Sequence, residues 1–144
     1  MLQKRLIRGA RIWAQAEQIW IILSGFVMFS RVESEGPKTI TYGELAKLMG
    51  YDSALAGHTL GRPLELIGRL CLRSGLPPLN VIVVSKETGF PGAEVLLRPG
   101  SSVATDQQAV AAVDWFSWRA PTANSFRTIW EERGAKTSNM AEMS

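Results

Sequence analysis

Residues 40–61 read ITYGELAKLMGYDSALAGHTLG and contain the start and stop signals of two short helices. Thr41 and Glu44 have the spacing of a capping box. In this motif the threonine hydroxyl accepts the amide of the glutamate, and the glutamate side chain returns to the threonine amide. The box predicts a helix that begins after Thr41 and ends at Gly50. A second helix is predicted over residues 53–61, with an aspartate and a serine as candidate caps.

A third helix is predicted to start at Pro63, because proline's fixed φ and missing amide suit the first helical turn. The apolar residues of this segment recur on one face and its charged residues on the other, which predicts a half-buried helix. The inward residues are Leu64, Ile67, Leu70 and Cys71. The outward residues are Arg62, Glu65, Arg69 and Arg73.

A β-hairpin is predicted after this helix. Residues 79–85 read LNVIVVS, a β-branched run that is too short for a helix and typical of a strand. Residues 94–98 read EVLLR and are the candidate returning strand, with the turn supplied by residues 86–89. Because two strands alone are only marginally stable, we expect this pair to pack against helices.

Both ends of the chain predict helices that pack on each other. Residues 11–33 carry apolar side chains at spacings of three and four, and residues 102–133 predict two further helices separated at Pro121. Such large apolar side chains need a shared burial site, and we expect the aromatic run 114–118 to be buried against the N-terminal helix. The tryptophans are Trp13, Trp20, Trp115, Trp118 and Trp130.

Length and composition predict one domain over residues 1–144, since 46% of the residues are hydrophobic and 20% are charged. We expect an α+β fold in which a central unit, residues 39–98, carries a small β-hairpin. Packed N-terminal and C-terminal helices, residues 11–33 and 102–133, flank this unit. Residues 134–144 are predicted to be a flexible polar tail.

The charge and the rare residues exclude several classes of protein. Sixteen Lys and Arg against 13 Asp and Glu give a net charge of +3, which permits contact with nucleic acid without requiring it. One cysteine, Cys71, and one histidine, His58, exclude an internal disulfide and the usual zinc ligand sets. The apolar run 19–29 is too short to cross a bilayer and no signal-peptidase motif follows it. We therefore expect a cytoplasmic protein with no membrane contact, no metal and no cofactor.

Residues 39–92 resemble the DNA-binding domain of methylguanine-DNA methyltransferases and alkyltransferase-like proteins. ITYGELAKLMGY at residues 40–51 is close to that family's helix opening, and ALAGHTLG at residues 54–61 resembles its recognition helix. PLNVIV at residues 78–83 falls where the family has its active-site strand. The resemblance implies a winged-helix-like centre that recognises duplex DNA with the helix 53–61 and a hairpin wing.

The chain departs from the family at the residues that perform alkyl transfer. Leu79 or Asn80 stands at the position of the alkyl-accepting cysteine, and the strand lacks the activating histidine. Cys71 lies on an apolar helical face with no histidine beside it in sequence, so it lacks the base that a nucleophilic thiol needs. Ala54 stands where alkyltransferase-like proteins have the arginine that opens the base stack. We therefore expect a small bacterial or phage-type protein that binds DNA and has no catalytic residues.

The resemblance also implies contact residues. Tyr42 matches the family tyrosine that leans on the DNA backbone, and His58 replaces an arginine of the recognition helix. Other side chains of this segment can reach bases or phosphates. The candidate DNA-binding residues are therefore Tyr42, His58, Thr59, Arg62 and Arg69, flanked by Lys47 and Lys86. An ordinary solvated surface is the alternative interpretation of these residues. Two other functions stay open: a protein-interaction module whose aromatic terminal helices form a homodimer, and an enzyme with an unrecognised site at His58.

Overall fold

A computed structural model of the chain describes residues 10–33, 37–51 and 59–143, with side chains up to residue 133. The described residues form an α+β fold that is mostly helical. Its α-helices are α1 (Ala10–Glu33), α2 (Tyr42–Leu48), α3 (Gly61–Arg73), α4 (Val103–Ala112) and α5 (Ala123–Met143). Its strands are β1 (Ile40–Thr41) and β2 (Val83–Val84), and single turns of 3₁₀ helix cover Leu79–Ile82 and Trp115–Ser117.

The two strands are parallel, with Ile40 opposite Val83 and Thr41 opposite Val84. The predicted hairpin is therefore wrong: residues 79–82 wind into a 3₁₀ helix, and residues 94–98 form no strand. Instead of returning along β2, the chain after residue 85 is held by a side chain of α2, through a hydrogen bond from the Gly92 amide. The β-branched run at residues 79–85 is apolar because it is buried among helices, as parallel strands usually are.

The core is centred on the inner face of α1. Trp20 packs edge-on against Trp115, with ring centroids 5.6 Å apart, and lies 6.4 Å from the ring of Phe126 on α5. These contacts confirm that the N-terminal and C-terminal helices pack on each other. The rest of the core joins α1 to α3 and to the 3₁₀ helix that precedes β2, through Ile19, Leu23, Leu64, Ile67, Cys71, Leu79 and Ile82.

The sequence signals for α2 and α3 are confirmed with small changes. The Thr41 hydroxyl accepts a hydrogen bond from the Glu44 amide at 3.1 Å and donates one to the Glu44 carboxylate at 3.1 Å. In a full capping box the carboxylate would instead accept from the Thr41 amide. The α3 helix begins at Gly61, two residues before Pro63. Proline still lies in the first turn, where the amide it lacks would have no helical partner.

One prediction about the C-terminal third is confirmed for Trp115 alone, and another is wrong. In the aromatic run 114–118 only Trp115 is buried, with its indole N–H donating to the Val110 carbonyl at 2.9 Å, whereas Phe116 and Trp118 are exposed. A 3₁₀ turn points successive side chains about 120° apart, so one of them can enter the core while its neighbour cannot. The α5 helix also continues to Met143, past the predicted end at residue 133.

The α1 helix is long and apolar enough to cross a membrane by length and composition alone. In this fold one third of its most apolar window is buried inside the protein. The buried residues contact α5 and α3, so packing in the core accounts for part of the apolar composition of α1.

Candidate nucleic-acid interface

Tyr42, the first residue of α2, fixes the loop that follows β2. Its hydroxyl donates to the Glu94 carboxylate and accepts the Gly92 amide at 2.7 Å. Burial and the hydrogen bond to Glu94 raise the pKa of Tyr42 above its ordinary value of 10. The phenol is therefore protonated at neutral pH and acts as a donor to the carboxylate. Tyr42, which the sequence predicts as a DNA contact, is engaged within the protein by its hydroxyl.

Gly92 lies against the two side chains that form this anchor. A Cβ at this position would lie 2.6 Å from a carboxylate oxygen of Glu94 and 2.8 Å from the Tyr42 hydroxyl. Both distances are shorter than real Cβ contacts, so with any side chain at residue 92 the ends of the Glu94 and Tyr42 side chains would have to shift. The Gly92 of the sequence therefore marks a close approach between the loop and α2.

The anchored loop, residues 85–92, is also closed on itself by hydrogen bonds. The Ser85 amide donates to the Phe90 carbonyl at 2.9 Å, and the Gly89 amide donates to the Ser85 carbonyl at 2.8 Å. The Phe90 amide in turn donates to the Thr88 hydroxyl at 3.1 Å. These bonds hold two exposed side chains at the surface: Lys86, and Phe90 with 63% of its area exposed.

Two further exposed cations flank the segment between α2 and α3. Lys47 lies in the last turn of α2, and Arg62 is the second residue of α3. The Arg62 guanidinium lies 6.0 Å from the centre of the Trp130 ring, within range of a cation–π contact. Within the described part of the chain, neither Lys47, Arg62 nor Lys86 forms an ion pair. These three predicted contact residues are therefore available to an external anion.

Arg69 lies in a different environment from the other predicted contacts. Its Nε atom is 3.1 Å from Glu65, and the same carboxylate is 2.6 Å from Arg133 on α5. Arg73, one turn further along α3, pairs with Glu132 at 2.5 Å. The three arginines and Glu132 line a groove of about 440 Å³ between α3 and α5. The fold thus groups Arg69 with the acids of α3 and α5.

Residues 53–58 of the predicted recognition helix 53–61 lie outside the described residues, and His58 is one of them. The described part includes Thr59, which is exposed and has an interaction partner. Leu60 is fully buried against the core. Leu60 therefore anchors the start of α3 in the core, and Arg62 lies two residues after Leu60.

The described residues do not supply a nucleophile for alkyl transfer. Cys71 is buried in the core, and burial raises the pKa of its thiol to about 12. A thiol with that pKa is protonated at neutral pH, whereas the attacking species is the thiolate. The described part of the chain also contains no cluster of three or more histidine, cysteine or acidic side chains that could hold a metal ion.

Sequence reasoning missed Phe90 as a candidate contact. The residue lies in a loop between Gly89 and Pro91, and no periodic pattern assigns it a buried face. A large aromatic residue in such a loop has no core to enter, which is the one signal that could have marked it. Its exposure beside Lys86 depends on how the loop closes, and the sequence does not encode that directly.

Comparison of this chain with protein-family models, curated proteins and solved structures finds no match. The resemblance at residues 39–92 therefore stays an expectation. A function must be argued from the chemistry of the surface.

Proposed function

We propose that this chain is a non-catalytic protein that binds duplex DNA, with a winged-helix-like centre similar to that of alkyltransferase-like proteins. In this proposal the segment before α3 approaches the groove. The loop 85–92 takes the place of the hairpin wing. Lys47, Arg62 and Lys86 contact phosphates, and the anchor at Tyr42 sets the position of the loop.

The observation that carries the proposal is the contrast between two sets of cations. Arg69, Arg73 and Arg133 are neutralised by acids of α3 and α5. Lys47 and Lys86 are exposed and have no ion pair with any described residue. Because DNA binding gains free energy when cations replace the condensed counterions of the phosphates, unpaired cations contribute most to such a surface.

The spacing of the cations also suits a nucleic-acid backbone. The loop that carries Lys86 is anchored at the first residue of α2, and Lys47 lies in the last turn of the same helix. Tyr42 and Lys47 are five residues apart, a rise of about 7.5 Å along α2, so the anchored loop and Lys47 can meet different phosphates of one duplex.

Phe90 gives the loop a second mode of contact. An exposed aromatic ring held on a closed loop can stack on a base or enter between base steps, as apolar wedges do in minor-groove proteins. Since the loop is closed by its own hydrogen bonds, little conformational entropy would be lost on binding.

Fluorescence anisotropy of short duplexes, titrated at low and moderate salt, tests the proposal. We expect the wild type to bind at low salt and to weaken as salt rises. Lys47→Ala, Arg62→Ala and Lys86→Ala should each lower the slope of log K against log salt by about 0.9, the value for one phosphate contact. Arg119→Ala is the matched control, because Arg119 is an exposed cation in the segment before α5. No binding at low salt, or an equal loss with Arg119→Ala, would contradict the proposal.

A second series separates lesion recognition from general duplex binding. Plain duplexes and duplexes with a bulky alkylated guanine are titrated with the wild type and with Phe90→Ala. A preference for the lesion that is lost with Phe90→Ala would place the function beside the alkyltransferase-like proteins. Equal affinities would support binding of duplex DNA without lesion recognition.

The protein-interaction alternative is favoured by one observation. Phe29 on α1 and Phe116 are both exposed, and their rings meet edge-on with centroids 6.2 Å apart. A pair of aromatic side chains in contact with each other and with solvent is typical of an interaction surface.

A further inference from the structure

The second half of α1 has an apolar face that the described fold leaves uncovered. Ile21, Phe29 and Val32 recur at helical spacing and expose 59%, 71% and 86% of their area. Phe116 is 60% exposed and extends this face through its ring contact with Phe29. We define the outer α1 face as Ile21, Gly25, Phe29, Val32 and Phe116.

Gly25, in the middle of the outer α1 face, is not required by the fold itself. A Cβ at this position would meet only the Phe29 ring, at an ordinary distance of 3.9 Å. Glycine inside a helix costs about 1 kcal/mol relative to alanine, because the unfolded chain loses more conformational freedom. A glycine with no internal reason, in the centre of an exposed apolar face, points to the close approach of another helix from outside.

The area of the outer α1 face is sufficient for a dimer. From the exposed fractions of its side chains, it presents on the order of 500 Å² of apolar surface to solvent. That value lies at the upper end for the largest apolar patch on a monomer. About 65% of a homodimer interface is apolar, so this area matches the apolar share of the roughly 800 Å² per partner of a standard protein interface.

A bilayer is a poorer occupant of this face than a second protein. Residues 21–32 span about 17 Å along the helix, whereas the hydrocarbon core is about 30 Å thick. Towards the N-terminus the face ends at glutamines that serve the fold: Gln15 donates to the Tyr51 hydroxyl at 2.7 Å, and Gln18 donates to the Met49 carbonyl at 3.4 Å. The opposite side of α1 is part of the core, so the helix cannot leave the fold to insert.

We propose that a second copy of this chain covers the outer α1 face, in a two-fold symmetric dimer with antiparallel α1 helices that cross at Gly25. A two-fold axis makes the face complementary to itself, since each contact occurs twice. With Gly25 on the axis, Ile21 packs on the partner's Phe29. The proposal is independent of DNA binding, because none of the proposed phosphate contacts belongs to this face.

The mass in solution tests the dimer. Sedimentation equilibrium at micromolar concentration should give twice the 15.8 kDa of one chain for the wild type. Phe29→Asp should give the monomer mass, because the dimer would bury two unpaired carboxylates. Leu96→Asp is the matched control: Leu96 is 41% exposed beside the groove between α3 and α5, outside the face, and the variant should stay dimeric. Circular dichroism should give both variants the wild-type helical content.

Disulfide trapping tests the antiparallel geometry. Gly25→Cys should cross-link to its own copy under mild oxidation, because this position lies on the proposed axis. Gln18→Cys should not, since the two copies of residue 18 would be about 21 Å apart along the helices. The native Cys71 is buried and does not compete.

A monomeric wild type, a dimeric Phe29→Asp or equal cross-linking by Gln18→Cys would overturn the proposal. If the wild type is monomeric and floats with anionic phospholipid vesicles, the proposal is overturned and a membrane surface is the occupant of the face.

Discussion

Asp106→Asn provides a quantitative test of how the C-terminal third is held in place. The Asp106 carboxylate is fully buried at the start of α4. It accepts hydrogen bonds from the Arg98 amide at 3.0 Å, from the Arg98 Nε at 2.7 Å and from the Ser101 hydroxyl at 2.7 Å. These bonds tie the loop before α4 to the helix. The substitution removes the charge and preserves the size of the side chain.

The expected loss of stability follows from these contacts. A hydrogen bond to a charged group contributes about 1.5–3 kcal/mol. The single side-chain oxygen of asparagine can accept only some of the three bonds. Its NH₂ group would face the N–H donors of Arg98, and two donors cannot bond to each other. Because the Arg98 side chain is 38% exposed, water can partly replace its lost partner. We therefore expect Asp106→Asn to lower the free energy of unfolding by about 2–3 kcal/mol, and Tm by about 8 °C.

The pH dependence has a definite sign. Burial alone would raise the pKa of Asp106, but the hydrogen bonds from Ser101 and Arg98 and the charge of Arg98 together hold it below its ordinary value of 3.8. A carboxyl group whose pKa is lower in the folded state stabilises the fold above its unfolded pKa, and this contribution is lost as pH falls through the folded pKa. The stability difference between wild type and Asp106→Asn should be constant above about pH 5 and shrink below about pH 4.

Urea denaturation followed by tryptophan fluorescence measures this difference, since Trp115 lies in the core next to Trp20. Glu131→Gln is the control: it removes a carboxylate paired with Arg127 on the exposed surface of α5 and should leave the midpoint unchanged. A difference below about 0.5 kcal/mol for Asp106→Asn, or one that does not vary between pH 3 and pH 7, would show that the Asp106 carboxylate does not hold the loop before α4.

Three further substitutions test the anchor, a tight contact and the core. Tyr42→Phe removes both hydroxyl hydrogen bonds of the loop anchor, so trypsin should cleave at Lys86 faster while Tm changes by only a few degrees; an unchanged cleavage rate would contradict the anchor. Gly68→Ala would place a Cβ 2.7 Å from the Asn80 side-chain oxygen and should cost about 1–3 kcal/mol in urea denaturation, a cost that Asn80→Ala in the same chain should reduce. Phe126→Ala empties a fully buried site against Trp20 and should lower the free energy of unfolding by about 3–5 kcal/mol; a loss below 1 kcal/mol would place this ring outside the core.

The helices were predictable because their signals are local. The capping box at Thr41, the apolar face of α3 and the periodicity of residues 11–33 each depend on neighbours within one or two turns. The partner of β2 was not predictable in this way. Val83 pairs with Ile40, so its strand neighbour lies far away in sequence, whereas the candidate hairpin strand was close and equally apolar.

The residues of the candidate site were likewise predictable only in part. The sequence identified Lys47, Arg62 and Lys86 as cations on polar faces, and the fold leaves them exposed. It could not tell that Arg69 is paired with Glu65, or that Phe90 stays at the surface. Both outcomes depend on which segments lie beside these side chains after folding.

The helical segments, the burial of Cys71 and the packing of the terminal helices follow from the sequence without the fold. Hydrophobic periodicity and capping residues act over one or two helical turns. The terminal helices pack together because Trp20, Trp115 and Phe126 need a shared burial site. Only the tertiary structure decided the parallel strand pair, the anchoring of the loop by Tyr42 and the exposure of Phe29 beside Phe116. Each of these is a contact between segments far apart in sequence, and its energy depends on distances that exist only when the chain is folded.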